Sequence, residues 1–231
     1  MNEPVIRNLT LPEVTVEDIL RAEGANTSKR PVRQRIIELY EGALKEALTL
    51  AQPKAIWVDS EITGYSETEL RIPGGTLKSK LLARMAGPGQ KLVLFAMTIG
   101  SAVDEQISAY QRANNMSSAL ALDETASTLV SKGTAAELGK IEENYRREGL
   151  KTTFPMGPGH SYWQGLEDLE DIFDILKPEL IGISLNESNL MQPRKSVCMV
   201  MGVGDNLPTV NGKTHCDFCS LKKSCHLSMG R

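Results

Sequence analysis

The stretch from Lys91 to Thr98, KLVLFAMT, constrains this chain more than any other. A continuous apolar run of strand length reads as a buried strand, which needs neighbours to pair its backbone and layers to cover its side chains. With 231 residues and 41% hydrophobic composition, the chain carries enough apolar material for such a core, and one large domain is expected.

Helix and strand signals alternate around that run. Thr15, with Asp18 three residues on, marks the start of a short helix that Gly24 stops, within an N-terminal arm over residues 1–29. Pro31 opens a long helix in which Ile36, Tyr40, Ala43, Ala47 and Leu50 recur at helical spacing until about Ala51, and Pro53 ends it. AIWVDSEI reads as a strand, and ETELRIP as another, stopped by Pro73 and the Gly74-Gly75 turn. Further helices are expected from Leu77 to Met85, Ser101 to Arg112, Ser117 to Arg147 and Leu166 to Leu176. The third of these is rich in small side chains, which permit close packing. Strands are expected near Lys151 to Phe154, from Leu180 to Leu185 and from Ser196 to Val203. This mixed order has no strict βαβ rhythm, so the expected fold class is α+β, a largely antiparallel sheet flanked by helices over residues 30–210.

Charge and hydropathy narrow the partners. A formal net charge of −3 supplies no sequence-wide basic field, so nucleic acid is not expected to bind. The opening MNEPVIRNLTLPEVTVEDIL has acids where the apolar region of a signal peptide would stand. No stretch approaches the ~20 apolar residues that span a bilayer, so no membrane association and a cytoplasmic location are expected.

In that reducing setting the Cys-rich tail, residues 211–231, points to metal or redox chemistry. Cys216, Cys219 and Cys225 stand at Cys-x2-Cys-x5-Cys spacing, so two sulfurs can meet one metal from a tight turn and a third can return after a short loop. A fourth ligand could be Cys198, His215, His226 or a partner's cysteine. Tetrahedral zinc accepts Cys3His, whereas an iron–sulfur cluster prefers four thiolates or leaves one iron open. Cys198, in the strand SVCMVMGV, also reads as a small hydrophobe of the core.

Three other stretches stand out. In FPMGPGHSYW, Pro155, Gly157, Pro158 and Gly159 force an irregular loop that exposes backbone amides and admits a ligand closely. His160, Tyr162 and Trp163 after it suit a flat ligand or rim packing. MTIGSAVDE places a strand–glycine–helix junction at Ile99-Gly100. The acids Glu167, Asp168, Glu170, Asp171 and Asp174 read as a solvated helix face.

Taken in order, TIGSAVDE, FPMGPGHSYW and LIGISLNESNLMQPRKSVCMVMGVG resemble the activation domain of cobalamin-dependent methionine synthase and its free-standing relatives, over roughly residues 30 to 205. The family's segments Leu-x-Glu-Ser, Met-x-Pro and Ser-Val are matched here by Leu185 to Ser188, Met191 to Pro193 and Ser196-Val197. The resemblance implies a twisted antiparallel sheet with helices, S-adenosylmethionine binding, and a corrinoid cofactor carried by another protein and reductively methylated. It implies cofactor contacts from Gly157, Pro158, Gly159, His160, Tyr162, Glu187 and Ser188. The family's Arg-x-x-x-Gly-Tyr motif falls on Pro155, Gly159 and His160, where only the glycine is kept. The expected partner is a corrinoid-binding protein or methyltransferase, whose cofactor this chain helps to reactivate or methylate. The alternative is a non-catalytic module that binds the corrinoid protein and keeps structural zinc in its tail.

Overall fold

The structure, a computed structural model, describes residues 3–25, 31–208 and 214–219. In chain order its elements are β1 (Val5–Asn8), α1 (Val16–Ala22), α2 (Gln34–Leu50), β2 (Lys54–Glu61), β3 (Gly64–Tyr65), β4 (Leu70–Ile72) and β5 (Gly75–Leu77). Then come α3 (Lys80–Ala86), β6 (Lys91–Thr98), α4 (Ala102–Arg112), α5 (Met116–Arg147), β7 (Lys151–Thr152) and α6 (Asp168–Leu176). β8 (Ser184–Leu185), β9 (Met191–Gln192) and β10 (Ser196–Gly204) close the domain. The main sheet runs β1-β2-β6-β10-β7, and every neighbouring pair is antiparallel.

Strand β6 occupies the centre, as its apolar run requires. Val93, Phe95 and Met97 point to one face, and Leu92, Leu94 and Ala96 to the other. The register sets matching rows across the sheet. Phe95 pairs with Trp57 and Met199, while Ala96 pairs with Ile56 and Cys198. On the first face lie α1, α2, α4 and α5; the second is covered by α3, α6, the small β3-β4-β5 sheet and the loop after β7.

Helix α5 covers the first face in one piece, about 48 Å long at 1.5 Å per residue. Its small residues allow the close approach expected of them. A Cβ on Gly133 would stand 2.4 Å from the Met97 terminal methyl, so the helix backbone lies directly on β6. Glu137 on the same helix is 1% exposed and is held by Arg7 of β1 at 2.9 Å and by Lys140 at 2.8 Å.

That ion pair explains an element the sequence did not reveal. β1 is four exposed residues with no apolar alternation, yet it pairs with β2 over its whole length, and Arg7 lies 5.0 Å over the Trp57 ring. Ile19 and Leu20 of α1 are buried in the same core, so described residues of the N-terminal arm are packed into the domain.

The strand expected at Leu180 to Leu185 is replaced by a 3-10 turn, Pro178–Ile181, followed by the two residues of β8. Pro178 fixes its own φ, and left-handed Lys177 and Gly182 bracket the turn at φ 57° and 84°, breaking the extended path. The expected solvated acidic face holds for the exposed Glu167, Glu170 and Asp174 and is corrected for Asp168 and Asp171. Asp168 accepts from the Lys78 amide at 2.5 Å and Asp171 from the Thr76 amide at 2.9 Å, so these carboxylates dock α6 onto the β5 segment.

The capping box at α1 forms as read, with Thr15 and Asp18 bonding each other's backbone amides. Asp18 is lowered from 3.8 to about 2, first by the Thr15 amide and then by Lys132 and the Thr15 hydroxyl. A carboxylate whose folded value is depressed contributes its stability above the unfolded value and loses it as pH falls toward the folded one. Asp18→Asn is therefore expected to lower stability at pH 7, with the gap from wild type closing between pH 4 and pH 2 in denaturant titrations. Thr15→Ala, which removes the cap itself, is expected to cost about 1 kcal/mol.

Candidate functional site

The loop from Phe154 to Trp163 leaves β7 and stays against β10. Met156 and Val200 exchange both backbone hydrogen bonds, at 2.9 and 2.6 Å. Gly157 then passes so close that a Cβ there would stand 2.8 Å from the Cys198 carbonyl oxygen. Gly159 turns the chain with φ 85°, and its amide donates to the carbonyls of Trp163 and Gly165, both at 2.9 Å. The Gly157 amide donates to the Tyr162 hydroxyl at 3.4 Å, and the Trp163 amide to the His160 carbonyl at 2.8 Å.

These contacts change the reading of the loop. Its amides at Gly157, Gly159 and Trp163 are engaged within the loop, so they do not form the expected open cradle. The aromatic side chains carry what the loop offers. The exposed His160 ring stacks on half-buried Tyr162, with centroids 5.2 Å apart and planes within 3°. Trp163 is 1% exposed and donates from Nε1 to Asp168 at 2.8 Å, which makes it the loop's anchor. Pro155 and Pro158 are half-buried. The strand–glycine–helix junction is likewise closed on itself, since the Gly100 amide donates to the Thr98 hydroxyl at 3.0 Å.

Glu187 and Ser188 sit exposed in the turn between β8 and β9. The Asn186 side chain organises that turn by accepting from the amides of Ser188 and Leu190, at 2.9 and 3.0 Å. The turn is tied to α6, where the Asn189 side chain donates to Glu170 at 2.8 Å.

The tail does reach the loop. His215–Phe218 forms a 3-10 turn, with the Thr214 amide donating to Asp217 at 2.8 Å. Phe218 stacks on Phe154 at 5.6 Å between centroids, and the Arg84 guanidinium lies 5.0 Å from the Phe218 ring. The Ser161 hydroxyl donates to the Cys219 sulfur at 3.1 Å. The side chains of His215 and Cys216, and all of Cys225 and His226, lie outside the described residues.

Cys219 is half-buried at the surface, and its sulfur accepts the Ser161 hydrogen bond. Cys198 sits differently. It is 5% exposed in the second core, and burial alone pushes its thiol up to about 12, the setting of a packed neutral sulfur. Among the described residues no group of three or more His, Cys, Asp or Glu converges as a metal site would. Nor is any helix among them long and apolar enough to cross a membrane.

Between the β3–β4 turn and α3 opens a cavity of about 580 Å³, and the loop and tail supply its remaining walls through Tyr162 and Phe218. Arg84 and Phe218 were not singled out in the sequence. The available signal was the aromatic inside CDFC, the one Phe, Tyr or Trp in the sequence of the tail.

No family model matches the sequence, and no curated protein matches it. A solved structure does: the MetH reactivation domain bound to AdoHcy, at TM-score 0.59 and 13% identity, over 89% of this chain and 80% of that one. The chain therefore has the α+β fold of a methionine synthase activation domain, as the order of its motifs suggested. The particular neighbour is MetH's own reactivation domain, and at this identity the likeness is one of fold.

The close pass of Gly157 is testable. Gly157→Ala drives a Cβ against a backbone carbonyl that cannot swing aside, so a loss of about 1–3 kcal/mol is expected in equilibrium unfolding. Gly139→Ala, where a Cβ meets nothing within 4 Å on the surface of α5, is expected to stabilise slightly and serves as the control.

Proposed function

We propose that this chain docks on a corrinoid-binding protein and assists reductive reactivation or methylation of its cobalt centre, with a metal or iron–sulfur centre held by the tail cysteines. What supports the corrinoid role is the fold shared with the MetH reactivation domain over 89% of the chain. Support for a tail centre comes from the spacing of Cys216, Cys219 and Cys225, and from the placement of Cys219 beside the loop at Ser161. A thiolate-bound iron–sulfur centre would supply the low-potential electron that reduction of Co(II) requires. The chain's own part is to hold that centre against the proline-glycine loop and to present the loop's stacked His160 and Tyr162 to the partner.

Direct methyl donation from S-adenosylmethionine is the weaker part of the inheritance. The neighbour holds AdoHcy, but here Pro155 stands where the family's motif has arginine, and proline offers no side-chain donor to grip a carboxylate. Calorimetry with S-adenosylmethionine is expected to give weak binding or none; tight micromolar binding would restore the methyl-transfer role to the loop.

Two measurements test the main reading. A corrinoid protein should bind this chain with unequal affinity in its Co(II) and Co(III) forms, because a partner shifts an equilibrium only through differential affinity. Equal affinities would remove the activating role. Chain purified without oxygen should carry metal that Cys219→Ser releases and Cys198→Ser retains. Absorption near 400 nm would mark an iron–sulfur centre, and a colourless protein with stoichiometric zinc would favour the binding-module alternative.

A further inference from the structure

We propose that the 580 Å³ cavity between the β3–β4 turn and α3 is a binding site for a planar aromatic molecule that carries a phosphate or carboxylate. Its volume falls in the range of small-ligand sites, ~300–1,000 Å³. Three aromatic rings line it, Tyr65, Tyr162 and Phe218, on three separate parts of the chain. Tyr65 is held in place although it is 51% exposed: a Cβ on Gly87 would stand 2.5 Å from its ring, so the ring lies flat against the end of α3. Tyr162 is braced by the stacked His160 ring. Such rings offer faces to a flat ligand at little entropic cost.

The charge on the rim sets the other half of the ligand. Lys80 and Arg84 are one turn apart on α3, both line the cavity, and neither forms an ion pair with a carboxylate among the described residues. Glu67 is the single acid in the lining, so two cations face one carboxylate. The structure itself supplies a stand-in for the ring. The Phe218 ring lies 5.6 Å from the Phe154 ring and 5.0 Å from the Arg84 guanidinium, so a planar group is accepted beside this arginine. Of the residues tied to the corrinoid reading, Tyr162 lines the cavity and His160 braces it, whereas Gly157, Pro158, Gly159, Glu187 and Ser188 take no part; the recognition proposed here rests on Lys80, Arg84 and Tyr65, which that reading does not use.

The test uses the full chain and 1-naphthyl phosphate, a fluorescent probe that joins a flat ring to a phosphate. Submillimolar binding is expected, with 1-naphthol and inorganic phosphate each bound about tenfold more weakly, because each lacks one half of the recognition. Arg84→Gln and Lys80→Gln replace exposed side chains and should leave the melting transition in place while weakening the probe about tenfold, the effect of one lost charge-assisted hydrogen bond. No binding at millimolar probe would overturn the proposal. So would equal affinity in wild type and both variants, or 1-naphthol binding as tightly as its phosphate.

Discussion

Burial of β6 on both faces is the constraint on which the rest of the structure depends. Leu92, Leu94 and Ala96 need one cover, and Val93, Phe95 and Met97 need another, so the sheet cannot leave either side to solvent. The two covers are built in different ways. On the first face the 32-residue α5 lies over the sheet as one continuous ridge, brought down to van der Waals distance by Gly133. The second is assembled from strands of two or three residues, helices of seven and nine, and loops. Short elements meet at many ends, and ends leave gaps. It is on this second face that the cavity, the proline-glycine loop and the folded tail gather.

Asp168 holds much of that patchwork together. Its carboxylate accepts from Trp163 in the loop and from the Lys78 amide just before α3, while sitting at the start of α6. Three elements converge on one charged acceptor at a helix N-terminus, where a negative charge is favoured. The arrangement keeps the loop from drifting away from α3, and with it the spacing between Tyr162 and Arg84 across the cavity.

What could be read from the sequence was local. β6 was visible because the six apolar residues from Leu92 to Met97 make a run of strand length, and the start of α1 was visible because Thr15 and Asp18 need only each other. The order of the motifs pointed to the fold that the chain shares with its structural neighbour. What stayed hidden depended on distant partners. β1 is held by Arg7 reaching Glu137, 130 residues away, and nothing in VIRN announces it. Asp168 and Asp171 read as solvated because the amides they accept from lie some ninety residues earlier. The loop's glycines did signal close approach, but what approaches Gly157 is the chain's own Cys198 carbonyl. Spacing alone gives the tail's sulfurs no address, and Phe218 acquires its role only beside Phe154 and Arg84.

The tail puts the two proposed sites on neighbouring residues. Phe218 is a wall of the cavity, and Cys219, the next residue, takes a hydrogen bond from Ser161 in the loop. Consecutive residues share a peptide plane, so a shift of the Cys219 backbone also turns the Phe218 backbone. Ser161 stands between His160 and Tyr162, the stacked pair, so the same shift is felt on the loop side of the cavity. If metal bound at the tail alters the affinity of a ligand in the cavity, linkage requires the ligand to alter metal affinity by the same factor. A centre at the thiols and a ring in the cavity would then report on each other through a single peptide unit, with no need for movement of the sheet beneath them.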